Sequence, residues 1–366
     1  MRMKKAIFII LALAALAGCT QAPKSEFKFD REVARSVKSV VEAPDGSVTF
    51  SIYAPMADTV ALTGDLAARD QVFTRSPEGI WSVKVTGVEP GSYRYGFNVD
   101  GLNVIDPLYP RSRDVLTMTE LTFGKGDQFW SVKDVPHGAM SQIYYHSKTT
   151  GQTRRMHVWT PAGYMKSTDK LPVFYLLHGG GDVDNGWPVI GCAGAILDNL
   201  LAEKKMVPMI VVMPDASLPQ GTFTDELIND IMPYIEANFR VKTGNPNTAL
   251  AGLSMGGIHI LDILSKHPTP FKYVNIMSSG FHMRDEAAEK EADAKLAPAA
   301  EQIKKNVSYL RFTQGGPEDI AYQNGMKTLD IFRKYGIPFE YSEMPGGHNW
   351  YVWRFDLEYF AQRIFK

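Results

Sequence analysis

Cysteine is nearly absent from this chain: Cys19 and Cys192 are the two among 366 residues. There are no paired cysteines and no H-E-x-x-H, and the histidines are scattered, so no metal site is expected. G-x-G-x-x-G is missing, which removes support for dinucleotide chemistry, and no cofactor is expected. No charge sign is in excess, with 39 Lys and Arg against 40 Asp and Glu. Without a basic stripe or an aromatic-plus-basic run, nucleic acid is not an expected partner. Long apolar runs are also scarce. The one at the start, Ala6 to Ala17, is shorter than the roughly 20 residues of a membrane span.

That first run follows Arg2, Lys4 and Lys5 and ends in Leu16-Ala17-Gly18-Cys19. Basic residues, a short apolar stretch and a small-residue end make a secretory signal peptide. The last four residues resemble a bacterial lipobox, which implies cleavage before Cys19 and lipid on its thiol. Residues 1–19 are then a lipoprotein signal and 20–35 a tether. The expected location is the bacterial cell envelope, on its periplasmic side or surface, with the membrane as a partner through Cys19. Cys192, in Gly191-Cys192-Ala193, is left without a disulfide partner and reads as a small buried side chain.

Two textures follow. Residues 36–125 are short alternating segments, such as Val48 to Tyr53, Trp81 to Val85 and Tyr93 to Phe97, separated by Asp45-Gly46, Pro77-Glu78-Gly79 and Pro90-Gly91. Evenly spaced strands with such turns predict an all-β sandwich. Residues 126–140 read as a linker. From 141 to 366, buried-strand runs (Val173–Leu177, Met209–Met213, Thr248–Leu250, Tyr273–Met277, Tyr309–Phe312) alternate with helical stretches. That pattern predicts an α/β domain whose mostly parallel sheet is covered on both faces. Residues 284–305, rich in Ala, Glu and Lys, read as a solvated helix, with a mobile cap as the other reading.

Within the second region Gly252-Leu253-Ser254-Met255-Gly256 reads G-x-S-x-G, between an apolar strand and a helix stopped by His267-Pro268. A serine on such a strand-to-helix turn stands clear of the backbone and can act as a nucleophile. In α/β-hydrolases the acid and then the histidine follow the serine in the chain. Of the eight histidines, His348 in Gly346-Gly347-His348-Asn349 fits the base best. The acid is expected after the strand ending near Thr313, where Asp319 is preferred and Glu318 is the reserve. The oxyanion requires two backbone N–H donors. Met255 follows the nucleophile, and Gly180 lies in His178-Gly179-Gly180-Gly181 at a strand end.

These residues carry a resemblance. Phe50…Tyr53-Ala54-Pro55, Gly79-Ile80-Trp81 and Gly91-Ser92-Tyr93-Arg94-Tyr95 resemble the Ig-like, family-48-type carbohydrate-binding modules. The matches are core and turn positions, so the module reads as a spacer or cap ahead of a glycan binder. Residues 141–366, through Leu177-His178-Gly179-Gly180-Gly181, Gly252–Gly257, Gly316-Pro317-Glu318-Asp319 and Gly347-His348-Asn349-Trp350, resemble carbohydrate esterase family 1 of the esterase-D-type α/β-hydrolases.

The resemblance implies Ser254 as nucleophile, Asp319 as orienting acid and His348 as base. The expected substrate is an ester of plant cell-wall polysaccharide, feruloylated or acetylated xylan, with feruloyl release first. Trp187 and Trp350, with Trp353 as a further candidate, are expected to wall a cinnamoyl ring, with core packing as the equal alternative. The alternatives are an acetylxylan esterase, a siderophore-ester hydrolase, and a glycan-binding lipoprotein with no catalysis.

Overall fold

The alternating segments of the first region form a two-sheet sandwich in the computed structural model, which describes residues 29–67, 71–109, 119–123 and 128–366. The expected leader, Cys19 and most of the tether lie outside the described residues. The tether's last residues are helical. Helix α1 (Arg31–Ser36) starts where the Asp30 carboxylate accepts from the Glu32 and Val33 amides, satisfying two of the free donors of a helix start.

The sandwich is built from β1 (Val40–Glu42), β2 (Val48–Tyr53), β3 (Val60–Gly64), β4 (Thr74–Arg75), β5 (Ile80–Val85), β6 (Gly91–Val99), β7 (Leu102–Val104) and β8 (Thr119–Phe123). One sheet runs β1-β2-β5-β4. The other runs β3-β6-β7, with β8 paired to the first half of β6. The period of two is plain in β2, where Val48, Phe50 and Ile52 are buried and the residues between them are not. They meet Tyr95 and Phe97 from β6 in the core. The buried Tyr95 hydroxyl donates to Asp106 at 2.6 Å, so burial leaves no orphaned donor. Trp81 and Tyr93, which alternate with core residues in the sequence, pack only at its margin.

The second region forms an eight-stranded sheet from β9 (Ala139–Ser147), β10 (Gln152–Thr160), β11 (Val173–Leu177), β12 (Ile210–Pro214), β13 (Thr248–Leu253), β14 (Tyr273–Met277), β15 (Tyr309–Gln314) and β16 (Glu340–Glu343). β9 begins at the end of the expected linker. The order is β16-β15-β14-β13-β11-β12-β10-β9; β10 runs antiparallel to both its neighbours, β12 and β9, and the other pairings are parallel. Every residue of β11 to β14 is buried, which is why these strands read as unbroken apolar runs.

The helices are α2 (Ala193–Ala202), α3 (Gln220–Glu226), α4 (Met232–Asn238), α5 (Met255–Lys266), α6 (Glu286–Leu296), α7 (Ala300–Asn306), α8 (Tyr322–Lys334) and α9 (Trp350–Ala361). α2 and α9 pack on one face of the sheet. α5, α7 and α8 pack on the other. α6, the core of the Ala/Glu/Lys-rich segment, lies against α5 and α8. Ala292 and Leu296 are buried, and Lys327, Lys334 and Tyr335 bond its Glu289 and Asp293. It is a solvated helix fixed on that face, and none of residues 284–305 lines the cavities at Ser254 described below.

Two consequences of this topology place the site. The chain steps from β11 to β12 on one side and returns to β13 on the other, so the strand order reverses at β11 and β13. The carboxyl ends of two such strands leave a crevice between their outgoing loops. The sandwich then docks beside that crevice, with β6 on α9. Buried Arg354 of α9 donates to Ser92 Oγ of β6 at 2.6 Å and through Nε to the Ile190 carbonyl at 3.0 Å. Its guanidinium lies over the Trp130 ring.

Candidate active site

Ser254 occupies the turn between β13 and α5 with φ 51° and ψ −116°, a left-handed conformation that a residue with a Cβ rarely adopts. The neighbouring glycines make the turn possible. A Cβ on Gly252 would stand 2.7 Å from the Gly256 backbone, and one on Gly256 would stand 2.7 Å from the His178 carbonyl. Both are too close, so only glycine lets α5 start this tightly over β13 and β11.

The residues expected to serve this serine come together. His348 Nε2 lies 2.9 Å from Ser254 Oγ, and its Nδ1 lies 2.7 Å from Asp319 Oδ1. Asp319 follows β15 and is 3% exposed. It accepts from the Gly315 amide at 3.1 Å and the Ala321 amide at 2.8 Å. Burial opposes its ionisation. The hydrogen bonds from His348 and the Ala321 amide outweigh that, and the carboxyl sits below its usual range. Its charge fixes the proton on His348 Nδ1, leaving Nε2 to accept from the serine hydroxyl. Glu318, the reserve acid, instead accepts from the Gly346 amide and braces the histidine loop. Trp353 stands edge-on to the His348 ring with centroids 5.0 Å apart.

Gly180 and Met255 lie beside the serine on the outgoing loops of β11 and β13. Neither amide donates a backbone hydrogen bond among the described residues. Gly180 is set by His178, a residue with no catalytic role in the serine–acid–histidine order. The Ala216 amide donates to His178 Nε2 at 2.8 Å, so the imidazole proton must be on Nδ1, which donates to the Gly179 carbonyl at 2.8 Å. The Gly179 carbonyl and the Gly180 N–H share one peptide plane and point in opposite directions. Pinning the carbonyl therefore turns the Gly180 N–H the other way.

The aromatic wall requires a correction. Trp187 is buried at 1% exposure, donates to the Leu177 carbonyl at 3.0 Å and packs edge-on to Trp350. It is core and lines neither cavity at the serine. Trp350 borders the serine's cavity but is only 2% exposed, with Trp353 packed against it. Cys192 is buried at the start of α2, in line with its reading as a small core residue.

Two cavities meet at Ser254 and His348. One, of about 110 Å³, is polar and holds the Gly179–Gly180 loop and Asp182. The sandwich supplies part of its wall through Asp65, Ser92 and Arg94. No local pattern marks these three, because their place depends on how two domains dock. The other cavity, of about 100 Å³, is lined by Ile258, Ile320, Ala321, His282 and Asn324. A hydroxyl beside an oriented imidazole, with free amides next to it, is an arrangement for attack on a carbonyl whose oxygen gains charge.

Comparison with known proteins agrees with this architecture. Residues 147–363 match the Esterase family, and residues 38–110 match carbohydrate-binding module 48, the isoamylase N-terminal domain. An endo-1,4-beta-xylanase/feruloyl esterase of Xylanibacter ruminicola is 31% identical over 343 residues, covering 88% of this chain and 45% of that protein. An esterase of Mycobacterium tuberculosis is 28% identical over 226 residues, covering 57% of this chain and 47% of its own length. The chain thus spans about half the length of the curated relatives it matches.

Among solved structures, a CE1 ferulic acid esterase from Anaeromyces mucronatus superposes with a TM-score of 0.58 at 26% identity, covering 66% of this chain and 96% of that one. The enterobactin esterase FES from Shigella flexneri reaches a TM-score of 0.69 at 15% identity over 91% of this chain and 98% of its own, a likeness of fold alone. The G-x-S-x-G turn, the doubly covered sheet and the family match over most of the second domain lead to one conclusion: the chain belongs to the Esterase family and carries an N-terminal module of the carbohydrate-binding module 48 type.

Proposed function

We propose that this esterase is a serine carboxylesterase that removes feruloyl groups from a xylan-type polysaccharide. The observation that carries the mechanism is the unbroken chain from Ser254 Oγ through His348 to Asp319. Ser254 Oγ attacks the ester carbonyl while His348 Nε2 takes its proton. The Gly180 and Met255 amides hold the oxyanion. Collapse breaks the bond to the sugar oxygen, which leaves with the proton from His348. A water, deprotonated by the same imidazole, then attacks the acyl-enzyme and frees the acid and the serine.

The feruloyl assignment is supported by the name of the 31% identical relative and by the 26% identical ferulic acid esterase structure. A cinnamoyl group, mostly apolar, suits the cavity of Ile258 and Ile320 better than the polar one. Siderophore-ester hydrolysis is the second reading, because the enterobactin esterase matches the fold across both domains. Against it stands the charge of the polar cavity. Its one Lys or Arg among the described lining residues, Arg94, is already ion-paired with Asp65, and Asp182 adds negative charge. A highly anionic triscatecholate would meet no net positive field there. Export and anchoring through Cys19 are part of the proposal and rest on the leader's resemblance to a lipobox.

The test is a panel of esters. Methyl ferulate and a feruloylated arabinoxylan oligosaccharide are expected to give kcat/KM at least about tenfold above acetylated xylan and a triscatecholate ester. Faster release of acetate would move the acyl assignment to acetylxylan, and faster triscatecholate cleavage would favour the siderophore reading.

A further inference from the structure

The geometry points to a sugar-reading subsite formed by Asp65 and Arg94 of the sandwich on the alcohol side of the scissile ester. It rests on the proposed esterase reading and adds to it what the first domain contributes to substrate choice. Both residues line the cavity that holds Ser254 and His348. That places a guanidinium and a carboxylate from one domain beside the nucleophile of the other.

The pair is held firmly. Arg94 Nε and Nη2 donate to Asp65 Oδ2 at 3.0 Å and Oδ1 at 2.8 Å. The backbone adds two more ties: the Arg94 amide donates to Asp65 Oδ2 at 2.8 Å, and the Asp65 amide donates to the Arg94 carbonyl at 2.8 Å. β3 delivers Asp65 to this place by ending in Gly64 with φ +97°, where a Cβ would collide with the Arg94 carbonyl. Such a turn fixes both side chains before any substrate arrives, which limits the ordering that binding would otherwise cost.

The pair's exposure and charge decide what it reads. The side chains of Arg94 and Asp65 remain 48% and 34% exposed. Ion pairs this open add little to folding stability, so a clip for the sandwich is a weak account of them. Because each charge neutralises the other, the pair does not favour an anion. Donors and acceptors fixed side by side instead match neighbouring hydroxyls, each of which donates and accepts. The two cavities then divide the ester. The acyl group lies on the Ile258 and Ile320 side, and the sugar that leaves lies against Asp65 and Arg94.

The experiment compares kcat/KM for a feruloylated arabinofuranosyl oligosaccharide with kcat/KM for methyl ferulate, in wild type, Arg94→Ala, Arg94→Lys and Asp65→Asn. The ratio of the two is expected to fall about tenfold or more in Arg94→Ala, through KM for the sugar ester, and to be only partly restored in Arg94→Lys. Asp65→Asn keeps the shape of the pair, so the same fall is read from it if Arg94→Ala does not fold. A ratio within about twofold of wild type in a folded variant would overturn the subsite and leave the esterase reading intact. So would a change in the preference for methyl ferulate over methyl cinnamate, since Arg94 would then read the acyl ring. A wild-type protein that cleaves neither ester overturns the feruloyl reading, and the subsite with it.

Discussion

Ser254→Ala is expected to lower kcat for ester hydrolysis by about 10⁶-fold, with KM little changed. In the proposed mechanism the hydroxyl is the atom that bonds to the acyl group, so no step of the double displacement survives its loss. Only the residual catalysis of the oxyanion donors and of binding remains. Asp319→Asn should lower kcat by about 10⁴-fold while leaving Ser254 in place. The amide keeps the shape of the carboxylate but lets the proton sit on the wrong nitrogen of His348. The double variant Ser254→Ala/Asp319→Asn should be no slower than Ser254→Ala alone, because groups acting as a unit are not additive. Steady-state kinetics on methyl ferulate check all three. Asp319 also links the site to acid stability. Its folded-state pKa is depressed, so its contribution is present above the ordinary carboxylate range and is lost as pH falls through that lowered value.

The second large effect is on stability. Arg354→Ala should destabilise the protein by about 3 kcal/mol, a fall in melting temperature on the order of 6–12 °C. Arg354 is fully buried and joins three separate pieces of chain: the Ile190 carbonyl, Ser92 Oγ and the Trp130 ring. Removing it leaves the Ile190 carbonyl without those donors and opens a cavity between the sandwich and α9. Thermal unfolding should also lose cooperativity, since the same side chain ties the two domains. Arg354→Lys should recover only part of the loss, because one ammonium cannot reproduce a planar fork of donors. A melting curve unchanged in Arg354→Ala would show that the domains are held together elsewhere.

Much of this site could be read before its geometry was known, for a local reason. A G-x-S-x-G turn needs a strand before it, a helix after it and glycines where backbones nearly touch, and all of these are sequence features. The acid and the histidine could be sought by chain order, which confined them to strand ends after Ser254. The place of Trp187 was not legible, because a tryptophan near a motif carries no mark of burial. Trp187 is core by tertiary packing, while Trp350, equally buried in that core, still borders the serine's cavity.

Other features depend on distance in space and had no local sign. Asp65 and Arg94 are 29 residues apart and meet only through the pairing of β3 with β6. They then reach Ser254 only through the docking of two domains. His178 precedes Ser254 and so falls outside the chain order that points to the base, yet it orients the peptide that carries the Gly180 amide. The two-layered sandwich and the doubly covered sheet were legible from periodicity alone. Helix α1 was not, because a six-residue helix rests on one Asp30 cap within a polar stretch.

The most direct measurement is the mass of the peptide carrying Ser254 after reaction of the full-length protein with an active-site-directed phosphonate. A single phosphonyl adduct on Ser254, formed in step with loss of activity and absent in Ser254→Ala, is the predicted result. An adduct on another residue that abolishes activity, or full activity with Ser254 unmodified, would contradict the assignment of Ser254 as the nucleophile.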